Sequence, residues 1–269
     1  MPYATAKDGT RLYYKDWGSG RPVVLIHGWP LSGDTFDDTA LALAEAGRRV
    51  IVPDRRGFGR SDQPWDAYDY DTFADDVAAV VLEAGVKEPI ALAGFSMGGG
   101  EVARFITRHG AKQVSHAVLI GSVVPFLLKT SDNPDGAPHE VFDGMIDGIK
   151  RNRADFFRNF FPNFFGPPEV GDAVLDDAWR QAMMAGLKPT LACVHAFSET
   201  DFRPDLANFS MPTLVVHGTK DAIVPIDLTS RVVARTVPGA KLIEYEDGGH
   251  GLFASHKDRL IADLLDFLG

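Results

Sequence analysis

The segment Gly94-Phe95-Ser96-Met97-Gly98 is a G-x-S-x-G sequence. A serine between small residues becomes reactive when a sharp strand-to-helix turn thrusts its hydroxyl out of the sheet, an arrangement called a nucleophile elbow. The flanking residues must be small because strand and helix cross closely there, and Gly98, Gly99 and Gly100 meet that demand. A hydroxyl is a weak nucleophile at neutral pH. It needs a base to take its proton and a carboxylate to orient that base. His250, in Glu246-Asp247-Gly248-Gly249-His250-Gly251, and Asp221, in Gly218-Thr219-Lys220-Asp221-Ala222, supply the two types. Asp227 and Asp247 compete for the acid role, but Asp227 is placed to cap or open a helix and Asp247 stands too near the histidine. His27, His217 and His256 compete for the base, and each sits where a structural role accounts for it. Acyl transfer also needs two backbone N–H groups aimed at the developing oxyanion. Met97, directly after the serine, and Trp29, in His27-Gly28-Trp29-Pro30, are the candidates. Pro30 has no N–H to give, but its carbonyl is free to accept.

The elements around these residues alternate. Leu12 to Trp17 predicts a strand after a turn at Asp8-Gly9, and Val23-Val24-Leu25-Ile26 predicts one buried on both faces. Thr35 to Ala46 is helical in character and Val50-Ile51-Val52 a strand. Asp71 to Ala84 puts Phe73, Val77, Val80 and Val81 on one helical face. Ile90 to Ala93 predicts a buried strand directly before the elbow, Met97 to His109 a helix, and Val118 to Ile120 another strand. Thr213 to Val216, Lys241 to Tyr245 and a final helix from Lys257 to Leu268 resume the pattern. Such alternation implies a mostly parallel sheet flanked by helices on both faces. Asp221 and His250 then fall on loops past strand carboxyl ends, where α/β sheets place ligands. Residues 121–211 interrupt the pattern. They carry eleven of the chain's 18 phenylalanines and no buried strand, and their prolines are expected to cut them into short helices. The expected division is a core of residues 1–120 and 212–269, with 121–211 inserted as a helical cap before the last strands.

Composition narrows the function classes. The 269 residues suit one α/β domain or two small ones. A charge of −10, from 27 basic and 37 acidic residues, repels phosphate backbones, so no nucleic-acid partner is expected. The lone Cys193 cannot form an internal disulfide or a thiolate cluster. No G-x-x-x-x-G-K-[ST] phosphate loop is present, and Gly57-Phe58-Gly59 lacks the third glycine of a dinucleotide fingerprint. His139-Glu140 is not followed by the second histidine of a zinc helix, so neither a metal nor a cofactor is expected. The start of the chain has no signal segment, and no stretch approaches the roughly 20 apolar residues of a membrane span. No membrane partner and a cytoplasmic location are therefore expected.

These residues resemble the α/β-hydrolase fold. More closely, the chain resembles the cofactor-free bacterial haloperoxidase and aryl-esterase group, the perhydrolase-like esterases. The resemblance runs over nearly the whole length. It rests on His27-Gly28-Trp29-Pro30-Leu31-Ser32-Gly33, on Asp54-Arg55-Arg56-Gly57-Phe58-Gly59-Arg60-Ser61 and on Gly94 through Arg104. Glu140-Val141-Phe142-Asp143-Gly144 and Ala196-Phe197-Ser198-Glu199-Thr200-Asp201-Phe202 extend it into the insertion.

The resemblance implies Ser96, Asp221 and His250 as a catalytic triad, with the Trp29 and Met97 amides as oxyanion donors. It implies hydrolysis of small or aryl carboxylic esters through an acyl-enzyme. Hydrogen peroxide can replace water as the acyl acceptor, and the released peracid oxidises halide in solution. Among relatives with this chemistry a proline follows the oxyanion tryptophan, as Pro30 does here. Two departures touch the triad loops: Gly248-Gly249 precede His250 where Ala-Pro is usual, and Thr219-Lys220 replace an acidic pair. Candidates for the pocket wall are Pro30, Val124, Phe126, Phe142, Phe160, Phe164 and Ile223, each phenylalanine being equally well explained as cap core. The alternatives are a lactone, γ-lactam or other amide hydrolase with the same triad, or a binding protein on the same fold. A dehalogenase or epoxide hydrolase would need aspartate at position 96. The expected partners are a small ester with water or peroxide, and the chain could form a homo-oligomer.

Overall fold

The computed structural model describes residues 2–269. In chain order its strands are β1 (Tyr3–Thr5), β2 (Arg11–Gly18), β3 (Pro22–Ile26), β4 (Arg49–Pro53), β5 (Ile90–Phe95), β6 (Val114–Ile120), β7 (Thr213–Gly218) and β8 (Lys241–Tyr245). The helices are α1 (Asp37–Glu45), α2 (Tyr70–Glu83), α3 (Met97–His109), α4 (His139–Phe165), α5 (Asp172–Met184), α6 (Leu187–Glu199), α7 (Ser230–Thr236), α8 (Leu252–Ser255) and α9 (Lys257–Leu268).

One eight-stranded sheet runs in the order β1-β2-β4-β3-β5-β6-β7-β8. β1 and β2 are antiparallel to their neighbours and every pairing from β4 to β8 is parallel. β3, β5 and β7 are buried along their whole length, as apolar runs covered by helices on both faces must be. The strand order places the site. From β3 the chain crosses to β4 on one side, then returns past β3 to β5 on the other. Right-handed crossovers send α1 to one face and α2 and α3 to the opposite one, and α1 packs on α9 while α2 packs on α3. The loops leaving β3 and β5 diverge at this switch point, and a crevice opens between them. Ile26 pairs in register with Gly94, so the Trp29 loop and Ser96 leave the sheet side by side.

The expected strands and long helices are found with ends moved by a few residues. The three-residue β1 and the four-residue α8 were not anticipated, because so few residues display no period, whereas the helix expected near Asp227 is the short α7, which begins at Ser230. The residues between β6 and β7 fold as α4, α5 and α6; Pro138 and Pro167-Pro168 bound α4 as expected, but two prolines do not cut helices. Pro162 lies inside the last turn of α4, and Pro189 lies in the first turn of α6, where its missing N–H has no helical partner to lose. The break in α4 is at Asn152, whose backbone is extended (φ −161°, ψ 94°). Its side-chain oxygen accepts from the Asp155 N–H at 3.1 Å, so it caps the second half of the helix from within. Among the described residues no helix is long and apolar enough to cross a membrane.

Candidate active site

Ser96 occupies the turn from β5 into α3 with φ 53° and ψ −118°, a conformation an L-residue adopts only under constraint. Its N–H donates to the Ile120 carbonyl at 2.8 Å, which fixes the turn to β6. A Cβ on Gly94 would lie 2.2 Å from the Gly98 carbonyl oxygen, and one on Gly98 would lie 2.4 Å from that of Ile26. Both are impossible contacts, so the elbow needs glycine at its two ends.

The two other polar residues converge on this hydroxyl. His250 Nε2 lies 2.9 Å from Ser96 Oγ, and His250 Nδ1 lies 2.6 Å from Asp221 Oδ2. All three are buried. The N–H groups of Ile223 and Val224 donate to Asp221 Oδ1 at 2.9 and 2.8 Å. Burial would raise the Asp221 carboxyl. The positive charge His250 can carry and the hydrogen bonds from His217 and His250 outweigh it and hold the group well below the usual carboxylate range. An ionised carboxylate on Nδ1 keeps that nitrogen protonated, leaving Nε2 free to take the serine proton. Of the competing acids, Asp227 is exposed and ion-paired with Arg231. Asp247 sits in a left-handed turn with φ 60°.

The loop after β3 lies against the elbow, where a Cβ on Gly28 would come within 2.9 Å of Ser96 Cβ. Among the described residues, the Trp29 and Met97 amides have no acceptor. Trp29 ties the loop to the helices above it. Its indole donates to the Thr190 carbonyl at 3.0 Å and its ring meets those of Phe157, Phe160 and Phe197 at 5.5 to 5.7 Å. Beneath the loop, the buried Glu101 of α3 pairs with Arg55, and Arg55 donates to the His27 carbonyl at 2.6 Å. His27 Nε2 accepts from the Arg55 N–H at 3.0 Å, so the ring proton sits on Nδ1, 2.9 Å from the Gly28 carbonyl. Burial, then the Arg55 charge, pushes His27 well below its usual value and keeps it neutral.

The Glu101 network makes stability depend on pH. Burial raises the Glu101 carboxyl to about 7 despite Arg55, and raises Asp76 to about 6. A carboxyl raised in the folded state holds its proton more tightly there than in the unfolded chain. It therefore lowers stability as pH rises from 4.5 to about 7. Glu101→Gln is expected to flatten the melting temperature over that window, leaving the smaller Asp76 contribution. A slope equal to that of the wild type, in thermal melts across the window, would contradict this account.

The family model described as the alpha/beta hydrolase fold matches residues 21–257. The chain is 44% identical to a non-heme chloroperoxidase of Kitasatospora aureofaciens, over 100% of this chain and 99% of that one. It is 42% identical to a bifunctional esterase/perhydrolase of Acinetobacter calcoaceticus, with the same coverage. The crystal structure of a bromoperoxidase from Bacillus anthracis superposes with a TM-score of 0.94 at 41% identity, covering 99% of each chain. The chain belongs to the α/β hydrolase fold family. Within it, this hydrolase is an enzyme of the non-heme haloperoxidase and esterase/perhydrolase group.

Above Ser96 the hydrolase holds an apolar cavity of about 230 Å³. Phe142, Phe160, Phe164 and Ile223 line it as expected, together with Trp29, Val123, Leu127, Met145 and Phe197. Val124, Phe126 and Pro30 do not. Val123 and Leu127 reach the cavity, whereas Val124 and Phe126 are buried elsewhere, Phe126 lying against the Arg203 guanidinium. Pro30 is buried in the loop backbone and presents no side chain to the cavity. Among the described residues, the polar side chains in the lining besides Ser96 and His250 are the exposed amide of Asn163 and the Trp29 indole, whose N–H is taken by Thr190.

The departure Gly248-Gly249 has a physical counterpart. The Gly249 N–H donates to the Pro167 carbonyl at 2.9 Å, and a Cβ on Gly249 would lie 2.1 Å from the Phe165 carbonyl oxygen. The chain after α4 rests directly on the His250 loop, and only glycine leaves room for it. In the second departure, Thr219 Oγ1 accepts from the Asp247 N–H at 3.1 Å, linking the two loops. His217 reaches the Asp221 carboxylate, and nothing in the sequence signalled it beyond a histidine four residues before the aspartate.

Proposed function

We propose that this hydrolase cleaves neutral esters of small apolar or aryl carboxylic acids, with Ser96 as nucleophile, His250 as base and Asp221 as the orienting carboxylate. Ser96 Oγ attacks the carbonyl as its proton passes to His250 Nε2. The Trp29 and Met97 N–H groups take the oxyanion, each worth about 3 kcal/mol in comparable sites. His250 gives the proton to the departing alcohol, leaving an acyl-serine. Water then attacks and releases the acid. Hydrogen peroxide attacks the same carbonyl, losing one proton to His250; the Oγ–acyl bond breaks and the proton returns to Ser96. The product is a peracid, which oxidises halide once it has left the site. We read residues 121–211 as the cap that walls this pocket.

The observation that carries the proposal is the Ser96–His250–Asp221 hydrogen-bonded chain opening into a cavity with no Asp, Glu, Lys or Arg in its wall among the described residues. Such a wall offers nothing to a charged acyl or alcohol group, whose desolvation would go uncompensated. The esterase/perhydrolase relative supports the same reading.

The test is turnover of 4-nitrophenyl acetate and of a succinate half-ester, with and without hydrogen peroxide, with peracid assayed separately. The neutral ester is expected to react at least tenfold faster, and peroxide to yield peracid. Equal rates on the charged ester would remove the apolar-substrate claim. Ester cleavage without peracid would remove the perhydrolase claim alone.

A further inference from the structure

We infer that His217 is a positioning residue for Asp221, setting the charge that the carboxylate presents to His250. The inference rests on the Ser96 reading above and extends it to a histidine that the reaction does not otherwise need. His217 ends β7 and its side chain is wholly buried, where an unpaired imidazole would be costly. It has three polar partners. Nε2 lies 2.8 Å from the Val224 carbonyl oxygen and 3.1 Å from Asp221 Oδ2, and Nδ1 lies 2.6 Å from Ser230 Oγ. A carbonyl and a carboxylate only accept, so Nε2 carries the proton and Nδ1 accepts from the Ser230 hydroxyl. The single Nε2 proton points to the Val224 carbonyl with Asp221 Oδ2 beside it at 3.1 Å, so it adds a weaker contact to a carboxylate already served by Ile223 and Val224 at Oδ1 and by His250 at Oδ2. The carboxylate cannot rotate without losing these partners. Ala222, Ile223, Val224 and Pro225 also line the cavity, so His217 holds one wall of the pocket through Val224.

The arrangement sets the direction of the effect. A hydrogen bond from His217 withdraws negative charge from Oδ2, the oxygen that stabilises the His250 imidazolium. Without it, the carboxylate presents more charge to His250 and raises its affinity for the proton. The other titratable and charged groups around His217 are Glu244, opposite it in the β7–β8 register, and Arg231 of α7, paired with Glu244 at 2.7 Å and with Asp227. Lys220 points to solvent. None of these makes a side-chain contact with Asp221 or His250; the substitution itself releases the Val224 carbonyl and the Ser230 hydroxyl along with Asp221, which is why rescue by Gln is part of the test.

The experiment compares His217→Leu, His217→Gln and Ser230→Ala with wild type. A serine-directed phosphonate counts reactive sites, and kcat/KM for 4-nitrophenyl acetate is followed against pH. His217→Leu is expected to lower kcat per titrated site by about ten- to a hundredfold. The acid limb of its profile should move up by about half a pH unit or more. His217→Gln keeps a donor near Nε2 and is expected to restore most of the rate. Ser230→Ala, which frees the ring tautomer, should move the limb the same way by less; if His217→Leu does not fold, these two variants decide. An acid limb that stays in place or moves down, or a loss of activity matched by a loss of titratable sites with no rescue by Gln, overturns the inference. Failure of the underlying reading looks different: the wild type would not react with the phosphonate, and Ser96→Ala would keep its activity.

Discussion

Ser96→Ala is expected to lower ester turnover by about 10⁴-fold or more, equivalent to about 5.5 kcal/mol of transition-state stabilisation. The residue offers no other function to lose. Its side chain is buried, and its hydroxyl bonds only to His250 among the described residues. The substitution removes one oxygen from a position whose backbone is fixed by the Ile120 carbonyl and by glycines on either side. The fold should therefore be unaffected, with a melting temperature within a degree or two of wild type. Ser96→Gly sharpens the test, because φ 53° with ψ −118° is a conformation that glycine adopts freely. That variant should be equally inactive yet more stable than Ser96→Ala by about 1–2 kcal/mol, the cost of holding a side chain there. Inactivity together with higher stability would mark the elbow as strained for function. Activity retained in either variant would move the chemistry elsewhere.

Asp221→Asn should have the second largest effect, again about 10⁴-fold in kcat, with little change in structure. The carboxylate is surrounded by donors on every side: two backbone N–H groups at Oδ1 and two imidazoles at Oδ2. An amide has one oxygen and one NH₂, so one pair of donors must face a donor. Turning the NH₂ toward the imidazoles forces His250 to accept at Nδ1, which puts its proton on Nε2. That tautomer cannot take the proton of Ser96. Turning it toward Ile223 and Val224 breaks the loop that walls the cavity. Steady-state kinetics with phosphonate titration separates the cases: the first leaves the serine present but unreactive, the second lowers stability as well. The depressed Asp221 carboxyl also stabilises the native fold, a contribution complete above its unfolded value of 3.8 and lost as pH falls toward its folded value. Asp221→Asn should therefore lose that contribution above pH 3.8 and flatten the fall of stability on the acid side. An unaltered acid side would count against the ionised carboxylate.

What could be read from the sequence was local. Glycines at 94 and 98, a serine between them and an apolar run before them specify a strand-to-helix turn with no reference to the rest of the chain. The C-terminal ends of β7 and β8 follow from the short strand patterns Thr213 to Val216 and Lys241 to Tyr245, so Asp221 and His250 could be placed at the same end of the sheet as Ser96. Pro162 and Pro189 misled, while Pro138 and Pro167-Pro168 bound α4 as expected, because a proline's effect depends on its position in a helix. Pro189 in a first turn costs nothing, whereas Asn152 breaks α4 by capping its own second half.

The pocket wall was legible only in part. Phe142, Phe160, Phe164 and Ile223 were recognisable as apolar residues in the right segments. The choice of Val123 and Leu127 over Val124 and Phe126 turned on how the irregular chain after β6 is laid over the elbow. No periodicity marks that once the strand has ended.

By itself, then, the sequence determined the parallel sheet, the elbow and the order of residues bearing reactive groups, because each follows from patterns within about ten residues. The tertiary structure alone decided which of those groups meet. The hydrogen bond from Ser96 to His250 spans 154 positions, and the contact of Arg55 with Glu101 spans 46. His217 looked like an ordinary strand-end histidine until the loop after β7 folded Asp221 and Val224 back onto it. Gly249 was only a departure from a familiar pattern until the Phe165 carbonyl came down on it. Hydrogen bonds and steric exclusion act over about 3 Å of space whatever the distance along the chain, so these contacts exist only once the sheet has brought its loops to one end.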